Sequence, residues 1–432
     1  MDTKGYNRRS FLRNAGLLGL AGVAGSKATQ VFAEESGTGG AAVAASSTIK
    51  LPFDHGERLL VQYPQKRPLI VLTSRALQLE TPYSAFDEGL TATGDKYLIT
   101  PNDAFYVRYH NTRIPLSIDP ALYKLSVNGN VTTPLSLTLN DLKTGFTPVE
   151  VVAANMCTGN SRGFNIPRVP GGQWAHGAMG NARWTGVKLK DVLAKAGIGA
   201  GAVQVTFNGM DQGGKSSIPD FVKSLNVDIA TSNNDIILAY AMNGTDMPML
   251  NGFPVRLIVP GYTGTYWVKH LTEISVVNAV FTGFYMGTAY REPDNVCACV
   301  PPGTAVPTPP GTRPVTHPRI RSFITNLIEG AKVAVNAPQV LRGFAVDGGS
   351  GIKSVAISVN GGAWTDATLG ADIGKYSFRG FETKFTPSTA GQTYALRVRA
   401  TANSGEVQPD MQFWAPTGYG YNPIETINVT AI

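Results

Sequence analysis

Cys157 stands where an apolar stretch, Val149-Glu150-Val151-Val152-Ala153-Ala154, gives way to the polar run Asn155-Met156-Cys157-Thr158-Gly159-Asn160-Ser161-Arg162-Gly163-Phe164. The apolar part reads as the end of a buried strand and the polar part as a short loop. A thiol at a strand end, with glycine allowing close backbone approach and arginine beside it, is where a soft metal is held; the other reading is an inert buried cysteine. Arg108-Tyr109-His110 sets a cation and an imidazole two residues apart in the extended segment Phe105-Tyr106-Val107-Arg108-Tyr109-His110-Asn111. That spacing aims both side chains at one side, although the pair also reads as a surface arginine and a hydrogen-bonded core histidine. The chain has two further cysteines, Cys297 and Cys299. They could link, bind a metal or bridge to another chain, but one intervening residue makes a strained ring, and no function is assigned to them.

The elements that must hold these residues fall into two groups. Leu189, Val192, Leu193 and Ala196 follow helical spacing and stop at Gly197, and Thr138 to Asp141 forms a capping box for another short helix. Val203–Phe207, Ile236–Tyr240 and Val255–Val259 read as strands. Residues 55–300 are therefore expected to form one α+β domain. Pro301, Pro302, Pro307, Pro309, Pro310, Pro314 and Pro318 crowd residues 301–318, which read as an inter-domain linker. Beyond it, Val355, Ile357 and Val359 alternate with smaller residues up to Asn360-Gly361, a hairpin signal, and Tyr394, Leu396, Val398 and Ala400 alternate likewise. Residues 319–432 are expected to form a two-sheet, immunoglobulin-like β-sandwich.

The amino terminus, Asn7-Arg8-Arg9-Ser10-Phe11-Leu12-Arg13 followed by an apolar, glycine-rich run to Gly25, reads as an export signal of the twin-arginine (Tat) type. Residues 1–33 form that signal, with Val31-Phe32-Ala33 before the cleavage point, and residues 34–54 read as a flexible leader. The route carries folded proteins, so a periplasmic enzyme loaded with a cofactor is expected. The apolar run is shorter than the roughly 20 residues a spanning helix needs, and no span is expected after signal removal. The formal charge of +7 falls to +3 once Lys4, Arg8, Arg9, Arg13, Lys27 and Asp2 are removed, and no basic cluster supports nucleic-acid binding.

The passage from Gly171 to Leu193, taken with the loop around Cys157, resembles the molybdopterin domain of the sulfite oxidase family. The resemblance runs from about residue 55 to the carboxyl terminus, where Phe413-Trp414-Ala415-Pro416-Thr417-Gly418-Tyr419-Gly420 takes part. It implies that Cys157 is the one protein ligand of molybdenum. Arg108 and Arg162 would line an anion pocket, where two planar forks of donors suit a small oxyanion. Trp174 would wall that pocket, or else be an ordinary core tryptophan. Tyr290 would lie beside the reacting centre, in preference to Tyr285. For the pterin, the resemblance points to Tyr106, Val107, Arg108, Tyr109, His110, Asp211, Asn251, Arg256, Trp267, Val268 and Lys269. Among these, Arg256 and Lys269 would neutralise the phosphate, and Asp211 would accept from the rings. Asn251 stands where some members carry histidine, and His176 and His270 fall beside matching motifs without an assignable role.

The implied activity is oxidation of sulfite to sulfate by a molybdenum–molybdopterin cofactor. No Cys-x-x-Cys-His occurs, and five histidines leave no room for a separate haem domain, so no intrinsic haem is expected. Electrons would then pass to an external acceptor such as a periplasmic cytochrome c. The carboxyl-terminal domain would form a homodimer, as in relatives. Two other readings are a methionine-sulfoxide reductase of the same cofactor class and an exported binding protein with a vestigial pterin domain. The paired arginines and the sandwich favour the sulfite reading.

Overall fold

Among the described residues strands dominate, and the few helices are short. The computed structural model describes residues 47–74, 76–88, 98–306 and 310–432. The signal at 1–33, the leader as far as residue 46, and Pro307 and Pro309 of the linker lie outside the described residues. No described helix is long and apolar enough to cross a membrane.

Three sheets build the part that holds Cys157. The first is antiparallel, in the order Thr48–Lys50, Glu57–Val61, Leu69–Ser74, Leu77–Glu80, Val107–Arg108. It corrects the expected leader: residues 48–50 already pair with Glu57–Val61, because Ile49 and Leu51 pack with Leu60, Ile70 and Phe53. The second sheet runs Lys223–Asn226, Gln204–Gly209, Leu271–Val277, Lys124–Gly129, Leu135–Thr138, with one parallel pair between Leu271–Val277 and Lys124–Gly129. The third runs Thr245–Asp246, Ile237–Met242, Met179–Lys188, Pro148–Met156, and Arg256–Ile258 also pairs with Ile237–Met242.

A shared core that includes Trp174, Trp184, Phe207, Leu238 and Trp267 joins the second and third sheets. The helix Leu189–Ala196 buries Leu189, Val192, Leu193 and Ala196 in it and ends at Gly197, whose φ of 70° suits glycine. Leu139–Thr144 starts on the expected box, with Thr138 Oγ1 accepting from Asp141 N and the Asp141 carboxylate accepting from Thr138 N.

Beyond residue 318, one sheet runs Arg321–Ile324, Gln339–Val346, Arg379–Phe385, Thr368–Leu369. The other runs Lys332–Val333, Thr426–Ala431, Thr393–Ala402, Ile352–Val359, Thr365–Asp366. Leu341, Phe381, Val355, Leu396 and Val429 from both sheets fill one apolar layer between them. Burial alternates along Thr393–Ala402, as its apolar pattern requires.

The end of the proline-rich stretch is held by the part before it. Thr312–Pro314 pairs antiparallel with Arg291–Pro293, Thr316 O accepts from Thr263 N, and the His317 imidazole bonds to Gly261 O. Proline is tolerated because the ladder is a short two-stranded one. A third apolar cluster takes Phe86, Met156 and Met179 from one side and Phe323, Phe344 and Phe378 from the other, so the described residues form one compact unit. Cys297 and Cys299 form a disulfide.

Candidate active site

Pro148–Met156 pairs over its whole length with Met179–Lys188, from Pro148 opposite Val187 to Met156 opposite Met179. Cys157 N then donates to Ala178 O, which fixes the thiol one residue past the ladder. Cys157 is the free cysteine of the chain and is half-buried. The turn after it is tight. Asn160 N donates to Cys157 O, Ser161 has φ 65°, and a Cβ added at Gly159 would sit 2.5 Å from the Arg162 guanidinium. A side chain at 159 would therefore push the Arg162 guanidinium aside.

One cavity collects most of the expected residues. Tyr106, Arg108, Tyr109, His110, Cys157, Asp211, Asn251, Arg256, Trp267, Lys269 and Tyr290 all line it. Val107 and Val268 lie in the adjoining core, where they supply backbone: Val107 pairs with Leu79, and Val268 O accepts from Leu257 N. Arg108 and His110 reach the same cavity, as the spacing of two anticipates. The His110 ring stacks on Phe221 with centroids 3.7 Å apart, and its Nε2 is hydrogen-bonded to the Tyr290 phenol. Burial, and then Arg108, Lys269 and Lys223, push His110 well below its ordinary value, while burial pushes the Tyr290 phenol up. Both are neutral near pH 7, and the pair shares a hydrogen bond with no net charge.

The cations are the unusual feature. Arg256 is buried, donates to Asn251 O and Trp267 O, and is lowered to about 10 by burial. Lys269 donates to Arg108 O, sits 3.9 Å from the Tyr109 ring centre, and is pushed well below the lysine range by burial and then by Arg256. Asp211 is the one carboxylate in the lining. Arg108 Nη1, Thr158 Oγ1 and Thr265 Oγ1 are buried there without a hydrogen-bond partner. Two arginines, a lysine that an anion would keep protonated, one carboxylate and several unused donors fit an anionic, phosphate-bearing ligand. Among the described residues no group of three His, Cys, Asp or Glu could hold a metal alone, so a metal at Cys157 needs its other ligands from such a cofactor. The residues present fit a molybdopterin in both respects.

Two expected pocket residues lie behind this lining. Arg162 donates to Thr417 O at 3.0 Å and Gly172 O at 3.3 Å, and its guanidinium sits 5.2 Å from the Tyr419 ring centre. Tyr419 in turn stacks on Tyr290 at 5.4 Å, so a ring stands between Arg162 and the phenol. Trp174 is a core residue with its edge on Tyr106, at 6.4 Å between centroids. The sequence names these residues and the stretch Phe413 to Gly420, but not that Thr417 and Tyr419 of that stretch cover Arg162.

The two histidines without a role also find places. The His270 Nδ1–H donates to Phe253 O, so the neutral ring accepts the Tyr109 hydroxyl at Nε2, 2.6 Å away; burial lowers it to about 3. His176 joins Ser161 to Glu425 of the carboxyl-terminal part. Asn251 turns inward: its Oδ1 accepts from Lys66 Nζ at 2.5 Å. The sequence reading missed Lys66, Phe221 and Thr265, which carry no local motif, and Thr158, whose place beside Cys157 was a usable signal.

The fold and this cavity define a molybdopterin-binding oxidoreductase, and the comparisons agree. The family described as oxidoreductase molybdopterin binding domain matches residues 111–285. Sulfite oxidase of Gallus gallus is 32% identical over 329 residues, covering 72% of this chain and 68% of the relative. Sulfite oxidase of Arabidopsis thaliana is 28% identical over 386 residues, covering 83% and 93%. The solved sulfane dehydrogenase SoxCD from Paracoccus pantotrophus superposes with a TM-score of 0.67 at 23% identity, over 96% of this chain and 95% of that one, which shows a common fold. The chain belongs to the sulfite oxidase family and is a molybdenum oxidoreductase.

Proposed function

We propose that this protein oxidises sulfite to sulfate, adding the oxygen of water and releasing two protons and two electrons to an external acceptor such as a cytochrome c. The observation that carries the reading is the meeting of the Cys157 thiol, an unpartnered Arg108 Nη1 and the His110–Tyr290 pair on one cavity. When bound, the molybdenum cofactor supplies oxygen-atom transfer and stores the electrons. Arg256 and Lys269 hold its phosphate, and Asp211 accepts from its rings. Arg108 offers a charge-assisted bond to the substrate anion. Tyr290, kept protonated by burial, donates to that anion, and His110 behind it orients the phenol. Tyr106 is held by Asn155 and Trp174 and keeps the wall beside the thiol rigid.

Arg8-Arg9 with the apolar run to Gly25 supports export to the periplasm as a folded holoenzyme, and the two facing sheets beyond residue 318 support an immunoglobulin-like domain; a homodimer through that domain, the commonest closed assembly, completes the proposal. Molybdenum analysis and assays of sulfite with cytochrome c, against methionine sulfoxide with a reduced dye, test the activity. Molybdenum-loaded protein that turns over the sulfoxide and not sulfite would reverse the assignment. Light scattering on the mature chain tests the dimer, and a monomer at micromolar concentration would remove it.

A further inference from the structure

One cation close to the cavity is absent from its lining. Lys223 is fully buried at the start of Lys223–Asn226. Its Nζ donates to Tyr285 O at 2.7 Å and lies 4.4 Å from the Tyr266 ring centre and 5.5 Å from that of Tyr290. After burial, Arg291 is the charged group that lowers its pKa, and no carboxylate of the described residues forms an ion pair with it. A lysine is rarely buried without a partner, and an apolar side chain would serve the packing of this strand better. Two residues earlier, Phe221 stacks on His110. One short segment therefore touches both members of the hydrogen-bonded pair: Phe221 covers the imidazole and Lys223 backs the phenol.

We propose that Lys223 is a positioning residue for anion binding, holding the turn that carries Tyr290 through Tyr285 O and placing a positive charge behind the phenol. The proposal rests on the anion-oxidising reading above. The groups facing Lys223 are Tyr266, Tyr285, Tyr290, His110 and Arg291. Burial pushes the three phenols up, and His110 is pushed well below its ordinary value, so these four stay neutral near pH 7. Burial, and then Arg291, lowers Lys223 itself to about 7. Its charge is present at acid pH and lost as pH rises through neutrality.

The test uses the molybdenum-loaded protein and its Lys223→Met and Lys223→Arg variants. At acid pH, Lys223→Met should lower kcat/KM for sulfite about tenfold, the size of a unit charge roughly 10 Å away at an effective dielectric constant near 20. The loss should fall on KM, and the ratio to the parent should approach one at alkaline pH; the ionisation of sulfite cancels in that ratio. Lys223→Arg keeps its charge and should hold the acid-side value further into the alkaline range. A ratio that does not change with pH would overturn the proposal. Sulfate binding by calorimetry gives the same comparison without turnover: about tenfold weaker binding by Lys223→Met at acid pH supports the proposal, and equal binding overturns it. Parent protein that binds sulfate but does not oxidise sulfite would refute the activity alone.

Discussion

Cys157 and Arg108 line one cavity, and the roles proposed for them each make a separable prediction at the level of single side chains. Cys157→Ser should keep its fold and lose sulfite turnover, because a hydroxyl is a poor ligand where a thiolate is needed; unchanged far-UV circular dichroism beside undiminished turnover would remove the ligand assignment. Arg108→Met should raise KM for sulfite with a smaller change in kcat, since a charge-assisted hydrogen bond is worth about 1.5–3 kcal/mol. Steady-state kinetics separate the two parameters. Much of this site was legible in the sequence. A thiol after an apolar run, an arginine and a histidine two apart, and the matching pterin stretches named eleven residues that line the cavity. Contacts made by segments distant in sequence were not legible. Nothing local says that Tyr419 screens Arg162, or that Lys223 lies beneath a phenol 67 residues further on.

At the scale of elements, the chain reads best where side-chain period and turn chemistry agree. The helix Leu189–Ala196, the turn at Asn360-Gly361 and the alternation of Thr393–Ala402 follow directly from spacing. At 301–318 proline content excluded a helix and a central strand but said nothing of a short paired edge such as Thr312–Pro314. Composition misled at 48–50 for a similar reason, since three residues can pair when a partner edge is already present. The capping box gives a local prediction. Thr138 Oγ1 satisfies the Asp141 amide in an exposed first turn, so Thr138→Ala should lower stability by about 1 kcal/mol in urea denaturation and leave sulfite kinetics unaltered. A loss well above 2 kcal/mol would mean that the box also anchors the neighbouring strand.

Over the whole molecule, a buried polar ring ties the carboxyl-terminal sheets to the turn after Cys157. Arg321 Nη1 donates to Ser161 Oγ, and Ser161 Oγ–H donates to His176 Nδ1 at 2.7 Å. The His176 Nε2–H points to Glu425 at 3.2 Å, and Arg321 Nη2 closes the ring on Glu425 at 2.5 Å. Every bond in it follows from one tautomer of His176. The Arg321 side chain is 2% exposed and that of Glu425 19%. Removing one partner leaves the other charge buried and unpaired, so Arg321→Met should cost about 3–5 kcal/mol. The double change Arg321→Met with Glu425→Gln should recover a large part of that loss, because both charges go together. Because Phe323 and Phe344 join Met156 and Met179 in one apolar cluster, both parts of residues 44–432 should unfold in a single urea transition in the parent, while Arg321→Met should separate them into two. Urea denaturation followed by tryptophan fluorescence and far-UV circular dichroism checks this: Trp174, Trp184 and Trp267 report on the first part, Trp364 on the second, and Trp414 on the contact its indole makes with Pro167 O. A stability change within about 0.5 kcal/mol for Arg321→Met would show that the ring does not hold the two parts together, and that the apolar cluster alone does.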